Sequence, residues 1–272
     1  MLSLVATPIG NLADITLRAI ETLKNAHGIL CEDTRHSRTL LEAHGITDKP
    51  LVSYHKFNEQ GQLERILEKL RAGEHWALIS DAGTPCINDP GALLVQACIR
   101  EGISFTAVPG PASPIVALLL SGFDTTRFQV IGFLPKKPDE ALRSVLGFPG
   151  TTIAFESPHR LLETLEALAK LDASRKVAVV REMTKTFEEC KRGPVSEVLA
   201  HFRKAGVKGE ICLLIEGGKL PEEKMPVEEL IALLQEFHGL GLKEAIKLAA
   251  KLSGVSKHAV YQQVHQKNSP SE

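Results

Sequence analysis

The sequence predicts an α/β protein built from two α/β lobes and a small helical appendage at the C-terminal end. Short apolar or β-branched runs alternate with helical periodicity from the first residue, a pattern typical of mostly parallel sheets with helices on both faces. The 272 residues suffice for two lobes, and 43% hydrophobic with 24% charged residues is a globular balance. We expect the lobes over residues 1–120 and 121–219 and the appendage over residues 220–272.

The first lobe is predicted to contain five strands with helices between them. Asp14 can cap a helix that buries Leu17 and Leu23, and Leu63 and Leu70 share the covered face of another helix. Two further helices are expected over residues 91–101 and 112–120. The five predicted strands span residues 2–6, 28–31, 51–54, 76–80 and 104–108.

The second lobe repeats the alternation less regularly, after an expected hinge at residues 121–124. Ser157 and Pro158 make a favourable helix start, and Val198 and Phe202 lie on the covered face of a later helix. Its predicted strands span residues 129–132, 151–155, 176–181 and 210–216.

The C-terminal appendage shows helical periodicity without strands. Its last two predicted helices resemble a helix-turn-helix, but the balanced charge favours a packing role over DNA binding. The three predicted helices span residues 227–237, 243–252 and 256–266.

The loops after the five predicted strands of the first lobe are rich in Gly, Pro and small polar residues. Because the carboxyl ends of parallel strands meet at one edge, we expect these loops to converge on one rim, where backbone can approach a ligand closely. One such loop is explained by turn formation alone, but five on one edge indicate a binding site. The loops span residues 7–11, 31–36, 55–59, 80–91 and 109–113.

Several other site types lack their motifs in this chain. There is no GxGxxG, P-loop, HExxH or GxSxG segment, and the five cysteines show no metal-ligand spacing. The cysteine usage suits a reducing cytosol, the apolar stretch of MLSLVATPIGN is too short for a signal peptide, and the longest apolar run is too short to span a bilayer. We therefore expect a soluble cytoplasmic protein without a metal or a membrane span.

Charge is distributed unevenly although the formal net charge is only -1. Residues 121–219 carry an excess of basic over acidic side chains, so a polyanion would meet this segment, unless the charges are simply scattered and solvated. One Trp and two Tyr make an RNA reader that relies on aromatic stacking platforms less favoured. The cations concerned include Arg127, Lys136, Lys137, Lys185, Lys191 and Arg192.

Seven short motifs follow one another along residues 2–218. They are LVATPIGNL at 4–12, CEDTR at 31–35, SDAGTP at 80–85, VPGP at 108–111, ESPHRL at 156–161, REMTK at 181–185 and KGE at 208–210. In this combination and order they resemble the ribosomal RNA small subunit methyltransferase I group of the tetrapyrrole-methylase superfamily.

This resemblance implies a tetrapyrrole-methylase fold with S-adenosylmethionine bound in a cleft between the two lobes. It also implies a homodimer that 2′-O-methylates a cytidine ribose of 16S ribosomal RNA near the decoding centre, in the free RNA or in the assembled small subunit. The loop after the fourth strand carries the main methyl-donor contacts of the superfamily. The donor contacts implied for this chain are Ile9, Asp81, Gly83, Thr84, Ala112, Ser113, Phe155 and Leu213.

A ribose hydroxyl is a poor nucleophile until it loses its proton, so a base, or a cation that stabilises the alkoxide, should assist the transfer. The sequence leaves the base unidentified. The candidate bases are Asp33, His55, Glu59, Asp89, Glu156 and His159. The candidate RNA-binding cations are Arg35, Lys56, Arg160, Arg181 and Lys185, of which the guanidinium groups of Arg160 and Arg181 suit phosphate best.

Three other functions remain open at the level of sequence. A methyltransferase of the same fold could act on a small tetrapyrrole or a protein side chain. A ligand-sensing regulator could place the helix-turn-helix-like appendage on DNA, and deletion of residues 220–272 would then abolish its output while an enzyme kept donor binding. A hydrolase with paired carboxylates is less favoured, because nothing marks two carboxylates as facing each other.

Overall fold

The computed structural model describes residues 1–218, 225–256 and 260. The chain forms two compact units, Met1–Gly218 and Lys219–Glu272. The larger unit contains two five-stranded sheets with flanking helices, which confirms the predicted α/β architecture with two sheets. A boundary between residues 120 and 121 inside this unit stays a prediction.

The first sheet is entirely parallel and has the order β3-β2-β4-β1-β5. Adjacent residues of a strand enter different cores, Leu30 on one face and Ile29 on the other, so both faces are buried as predicted. The strands are β1 (Leu2–Val5), β2 (Gly28–Cys31), β3 (Leu51–Ser53), β4 (Trp76–Leu78) and β5 (Phe105–Val108). The helices that connect them are α1 (Leu17–Asn25), α2 (Thr34–Ala43), α3 (Glu59–Arg71) and α4 (Ala92–Glu101).

Two helix starts in this lobe differ from the prediction. Asp14 was expected to cap α1, but the cap is Thr16, whose Oγ1 accepts a hydrogen bond from the Ala19 amide at 3.1 Å. Asp14 instead ends a short 3-10 turn, Leu12–Asp14, that Asn11 caps. The predicted loop over residues 31–36 is also shorter, because the Asp33 carboxylate accepts from the Arg35 amide at 2.8 Å and starts α2.

The second sheet has the order β6-β7-β10-β8-β9, and only β6 and β7 run parallel. Edge strand β9 has the sequence ECKRGP and is half-buried, so it carries no apolar alternation that predicts a strand. The strands are β6 (Phe128–Phe133), β7 (Thr151–Glu156), β8 (Lys176–Arg181), β9 (Glu189–Pro194) and β10 (Ile211–Ile215). The helices of this part are α5 (Ser113–Ser121), α6 (Asp139–Gly147), α7 (Leu161–Leu171) and α8 (Val195–Ala205).

Helix α7 begins later than predicted. Ser157 and Pro158 were expected to open it, but residues 158–160 form a turn and the first helical residue is Leu161, whose amide donates to the Ser157 carbonyl at 3.1 Å. Helix α6 was not predicted. Helix α5 buries Ala117 and Leu118 in the core of the second sheet although it follows a strand of the first sheet.

The smaller unit is helical in its described part. Helices α9 (Val227–His238) and α10 (Leu242–Ser253) match two of the three predicted helices and share a core that includes Ile231 and Ile246. The third, over residues 256–266, falls almost wholly outside the described residues. Within the described ranges, no helix combines the length and the apolar character that a membrane crossing requires.

Candidate functional site

Two loops of the first lobe are joined by backbone hydrogen bonds at the carboxyl edge of the first sheet. The Thr7 amide donates to the Gly83 carbonyl at 2.8 Å, and the Gly83 amide donates back to the Thr7 carbonyl at 3.1 Å. The buried Thr7 hydroxyl also donates to the Ser80 carbonyl at 3.0 Å. These bonds fix the loop after β1 against the loop after β4, next to the point where the strand order of the sheet reverses.

The other three predicted loops meet the same rim. The Asp33 amide donates to Asp81 Oδ1 at 3.1 Å, which joins the loop after β2 to the loop after β4. The Thr84 hydroxyl donates to the Pro111 carbonyl at 3.2 Å, and the Gly91 amide donates to Glu59 Oε2 at 3.4 Å. The predicted convergence of five loops on one edge is therefore confirmed.

A cavity of about 660 Å³ opens at this rim and extends to the second sheet, a volume within the ~300–1,000 Å³ of small-molecule sites. The first lobe contributes Ile9, Ala82–Thr84, Ile87–Asp89 and Ala112–Ile115. The second contributes Val130, Phe133, Phe155–Pro158, Met183 and Gly209–Cys212. The lining is mostly apolar, so the cavity suits a ligand with a large apolar surface.

The charged side chains of the cavity are all acidic. Among the described lining residues they are Asp89, Glu156 and Glu210, and no Lys or Arg belongs to the lining. Carboxylates near an apolar surface attract a cation and repel phosphate groups. The cavity therefore fits a cationic ligand with apolar parts better than a dinucleotide or another anion.

Asp89 is the carboxyl group of the cavity whose acidity departs furthest from normal. Burial raises its pKa to about 6, and the nearby negative charge of Glu32 adds to this effect. A hydrogen bond with Ser80 and the positive charge of Lys56 act in the opposite direction. A carboxylate with a pKa close to neutral can accept a proton efficiently at physiological pH.

Glu156 is held by three hydrogen bonds and is almost completely buried. Its Oε2 accepts from the Thr164 hydroxyl at 2.6 Å and from Arg160 Nη2 at 3.2 Å, and its Oε1 accepts from the Ser157 amide at 2.8 Å. With its oxygens engaged in this way, Glu156 orders the end of β7 and the turn before α7.

The opposite lip of the cavity is built around a tight turn at residues 182–185. Glu182 Oε1 accepts from Lys185 Nζ and from the Glu210 amide, both at 3.0 Å, and Lys185 Nζ also lies 3.0 Å from Glu210 Oε2. A Cβ added to Gly209 would lie 2.3 Å from Glu182 Oε1, so glycine is needed there. The turn thus places Met183 and Glu210 at the cavity.

The two cavity cysteines are poor nucleophiles. Burial raises the pKa of Cys212, which lines the cavity, to about 12, and burial near Asp89 raises the pKa of Cys86, in the loop beside it, to about 11. Both thiols stay protonated at neutral pH, whereas the thiolate is the reactive form. Covalent catalysis by cysteine is therefore disfavoured.

Comparison with known proteins identifies the family. Residues 1–199 match the family described as Tetrapyrrole (Corrin/Porphyrin) Methylases. The chain belongs to this family. It is 44% identical to Ribosomal RNA small subunit methyltransferase I of Halalkalibacterium halodurans, over 97% of this chain and 94% of that protein. It is 46% identical to the protein of the same name in Escherichia coli O157:H7, over 96% and 93%.

Solved structures share the fold of this methylase at lower identity. Diphthine synthase aligns with a TM-score of 0.63 and 14% identity, over 81% of this chain and 91% of that chain. Uroporphyrin-III C-methyl transferase from Thermus thermophilus, complexed with S-adenyl homocysteine, aligns with a TM-score of 0.56 and 21% identity, over 79% and 96%. Membership in the methylase family confirms the predicted resemblance and S-adenosylmethionine as the cofactor.

The residues implied as donor contacts are mostly brought together by the fold. Six of them line the cavity: Ile9, Gly83, Thr84, Ala112, Ser113 and Phe155. Asp81 does not line the cavity; its carboxylate accepts a hydrogen bond from the Asp33 amide. Leu213 does not line the cavity; its neighbour Cys212 does, and alternation along β10 turns the Leu213 side chain to the opposite face of the sheet.

The candidate bases are separated by the structure. Asp89 and Glu156 line the cavity of the methylase, whereas Asp33, His55, Glu59 and His159 do not. Asp33 caps α2 and pairs with Arg35, and the Glu59 carboxylate accepts the Gly91 amide. The Glu156 carboxylate is already held by three hydrogen bonds. Asp89 is therefore the remaining candidate base that lines the cavity, and its pKa is raised to about 6.

Most of the predicted RNA-binding cations are already paired within the protein. Arg160 donates to Glu156 and to the carbonyls of Leu134 and Pro135. Arg181 pairs with Glu189, Lys185 with Glu182 and Glu210, and the exposed Arg35 with Asp33. Of the middle-segment cations, Arg192 caps α5 through the Leu120 and Ser121 carbonyls. Within the described residues, Lys56 alone of the five predicted cations has no hydrogen bond or ion pair.

Sequence reasoning found Phe155 and Glu156 but missed other cavity residues of the second sheet, Val130 and Phe133 among them. A Cβ added to Gly132, which has a φ of +71°, would lie 2.6 Å from Asn88 Oδ1, so the β6 bulge lets the Asn88 loop of the first lobe approach. Asn88 itself has a positive φ, a conformation that asparagine tolerates. Its Asn-Asp-Pro-Gly context was the one sequence signal of this turn.

Replacement of Gly83 by Ala is expected to weaken donor binding. Gly83 has a φ of +80°, and an added Cβ would lie 3.3 Å from Ile9 Cγ2, which it would push toward the cavity. We expect a loss of about 1 kcal/mol in the free energy of unfolding from the left-handed backbone, and about tenfold weaker binding of S-adenosylmethionine by calorimetry.

Gly45→Ala is the matched control. Gly45 has a φ of +69° but no atom within 4 Å of the added Cβ, so this variant should lose similar stability and keep full donor affinity. Equal donor affinities of the two variants would contradict the placement of Gly83 at the donor site.

Proposed function

We propose that this chain transfers a methyl group from S-adenosylmethionine to the ribose 2′-hydroxyl of a cytidine in 16S ribosomal RNA, near the decoding centre. The proposal rests on the observation that an apolar cavity with only acidic charged side chains sits where five loops converge. The names of the relatives that are 44% and 46% identical over nearly the whole chain support ribosomal RNA as the substrate.

The donor contacts follow from the cavity lining. We propose that Ile9, Gly83 and Thr84 hold the donor from one side and Ala112, Ser113 and Phe155 from the other. A bound sulfonium donor supplies an electrophilic methyl group. The apolar walls exclude water from the acceptor oxygen, and fixed loops hold the reactants in line, an effect worth ~7–11 kcal/mol in well-oriented systems.

Asp89 is proposed as the base that takes the proton of the 2′-hydroxyl. It is the cavity carboxylate whose oxygens are not fully engaged by the protein and whose pKa lies near 6. Asp89 would accept the proton of the ribose oxygen as that oxygen takes the methyl group, and the electron pair of the broken methyl–sulfur bond would leave with S-adenosylhomocysteine. Asp89 would release its proton to water after the products leave. The carboxylates of Glu156 and Glu210 also line the cavity, where each is paired with a cation of the protein.

The alternative substrates fit the cavity less well. A small tetrapyrrole rich in carboxylates would meet Asp89, Glu156 and Glu210 and, among the described lining residues, no cation. The match to a methylase family over residues 1–199 favours an enzyme over a DNA-binding regulator. A protein side chain as acceptor is disfavoured by the names of the relatives.

The substrate proposal is tested by mapping ribose methylation in 16S ribosomal RNA from cells with and without this protein. We expect one cytidine 2′-O-methyl group near the decoding centre to be lost in the deletion strain and restored by the intact gene. Purified protein should restore this methyl group in vitro on material from the deletion strain. Parallel reactions with free 16S ribosomal RNA and with assembled small subunits would show which of the two is the substrate. An unchanged methylation map would overturn the proposal.

Substitution of Asp89 by Asn should lower kcat for RNA methylation by ~10²–10⁴, the usual contribution of a general base. A base acts when deprotonated, so the rate of the unmodified protein should fall as the pH drops below about 6, where Asp89 takes up a proton. The Asn variant should lack this decline in a pH–rate profile. Donor affinity by calorimetry should stay within about threefold, because the shape of the side chain is kept.

Glu32→Gln provides the control for this assignment. Glu32 does not line the cavity, but its charge raises the pKa of Asp89. Its removal should move the acidic decline of the rate to lower pH while kcat at pH 8 stays unchanged. A decline that stays in place in both variants would assign the base to another group.

A homodimer in the cytoplasm is also proposed. Strand β6 is at the edge of its sheet, yet Phe128 and Ile131 are exposed and do not line the cavity, and such apolar edges are usually covered by a partner. All five cysteines are free, which suits a reducing compartment.

Light scattering should give the mass of two 29.6 kDa chains for the intact protein. Ile131→Glu should shift the equilibrium toward monomer, because a charge would be buried at the interface. Lys191→Glu, on half-buried edge strand β9 at the other end of the sheet, should leave the dimer intact. A monomeric intact protein would exclude the dimer.

A further inference from the structure

An aromatic side chain is held out into solvent at the rim of the site. Phe57 is 98% exposed, the largest value among the exposed large apolar side chains of the described residues. Leaving a Phe side chain in water forgoes about 1.5–3 kcal/mol of burial. Few aromatic residues occur in this chain, so the position of this one is informative.

The turn that carries Phe57 is held by three hydrogen bonds and one ring contact. The His55 amide donates to Asn58 Oδ1 at 2.8 Å, and Asn58 Nδ2 donates to the Ser53 carbonyl at 3.0 Å. The Phe57 amide donates to His55 Nδ1 at 3.2 Å, and the two rings meet edge to face at 6.0 Å. The ring of Phe57 is thus preorganised, which lowers the entropic cost of binding.

This turn lies beside the cavity. It follows β3 at the carboxyl edge of the first sheet, and Glu59, two residues on, accepts the amide of Gly91. The charge of Lys56 reaches the Asp89 carboxyl at the cavity. In the described part of the chain, the Lys56 ammonium has no hydrogen bond or ion pair, whereas the guanidinium groups of Arg160 and Arg181 are held by the protein.

We infer that Phe57 and Lys56 form an RNA subsite, in which the Phe57 ring stacks on an unpaired base next to the methylated nucleotide and Lys56 neutralises an adjacent phosphate. The inference rests on the proposed RNA substrate and adds to it a contact outside the cavity. Aromatic rings that stack on splayed-out bases, beside cations that meet the backbone, are the common means of holding single-stranded RNA. A neighbouring base stacked at the rim would also fix the acceptor ribose relative to the cavity.

The test uses three substitutions at one exposed position, so none of them disturbs packing. Phe57→Ala and Phe57→Leu should raise the KM for RNA methylation roughly 5- to 150-fold, the range that base stacking provides. Phe57→Trp should retain the KM of the unmodified protein, because it keeps an aromatic face. Ile99→Ala is the matched control and should change nothing, because Ile99 is an exposed apolar residue near the end of α4, which leads into the start of β5 at the edge of the sheet opposite the rim.

A second readout separates this inference from the proposed reaction. A decoding-centre fragment of 16S ribosomal RNA with 2-aminopurine at single-stranded positions should show fluorescence quenching on binding, and quenching should be lost in Phe57→Ala and kept in Phe57→Trp. Quenching without methylation by the intact protein counts against the proposed reaction alone. The stacking site would be overturned if Phe57→Ala had the same KM and the same quenching as the unmodified protein. It would also be overturned if Phe57→Leu kept full activity, or if the intact protein did not bind the fragment. Lys56→Gln should weaken RNA binding and reduce its dependence on salt.

Discussion

The site depends on a small patch of backbone pairing between two loops that are more than seventy residues apart. The two hydrogen bonds between Thr7 and Gly83, with the Thr7 hydroxyl on the Ser80 carbonyl, satisfy buried polar groups that would otherwise cost about 1–3 kcal/mol each. Because both partners are backbone groups, the geometry is set by the positive φ of Gly83 more than by side chains. This pairing sets the wall of the cavity at these two loops, including the positions of Ile9 and Thr84.

The charged side chains differ between the cavity, where they are acidic, and its rim, where cations lie. Inside, the apolar walls that suit an adenosine-containing donor also desolvate Asp89, which is the reason for proposing Asp89 as the base. Outside, the rim carries Lys56 and the paired cations. The proposed function uses this division, with the cationic donor inside the cavity and the anionic RNA at the rim, which a uniformly acidic or basic surface would not allow.

The sequence allowed the parallel first sheet and the convergence of its loops to be predicted, because short apolar strands alternate with helical periodicity there and the loops after β1, β4 and β5 contain Gly and Pro. It was less informative for the second sheet. Strand β9 owes its place to pairing with β8 and not to its own apolar pattern. The Asp14 cap was wrong because Thr16 caps α1, while Asp14 belongs to the short turn that Asn11 caps. Cavity residues such as Phe133 arise from contacts between lobes, and local periodicity carries no information about those.

The predicted RNA-binding cations show most clearly that the sequence does not reveal which partners a side chain meets in the fold. Arg160 and Arg181 suited phosphate by the geometry of their guanidinium groups, but that geometry suits carboxylates equally well, and the fold supplies Glu156 and Glu189 first. A phosphate of the RNA could bind such an arginine only by displacing its carboxylate partner. The net gain in RNA binding would therefore be small. Lys56 meets no such competition within the described residues, and its neighbour Phe57 has no apolar surface to cover it. Within the described residues, Lys56 and Phe57 are therefore proposed as RNA contacts because Lys56 has no ion pair and Phe57 no covering surface, a property that only the folded chain defines.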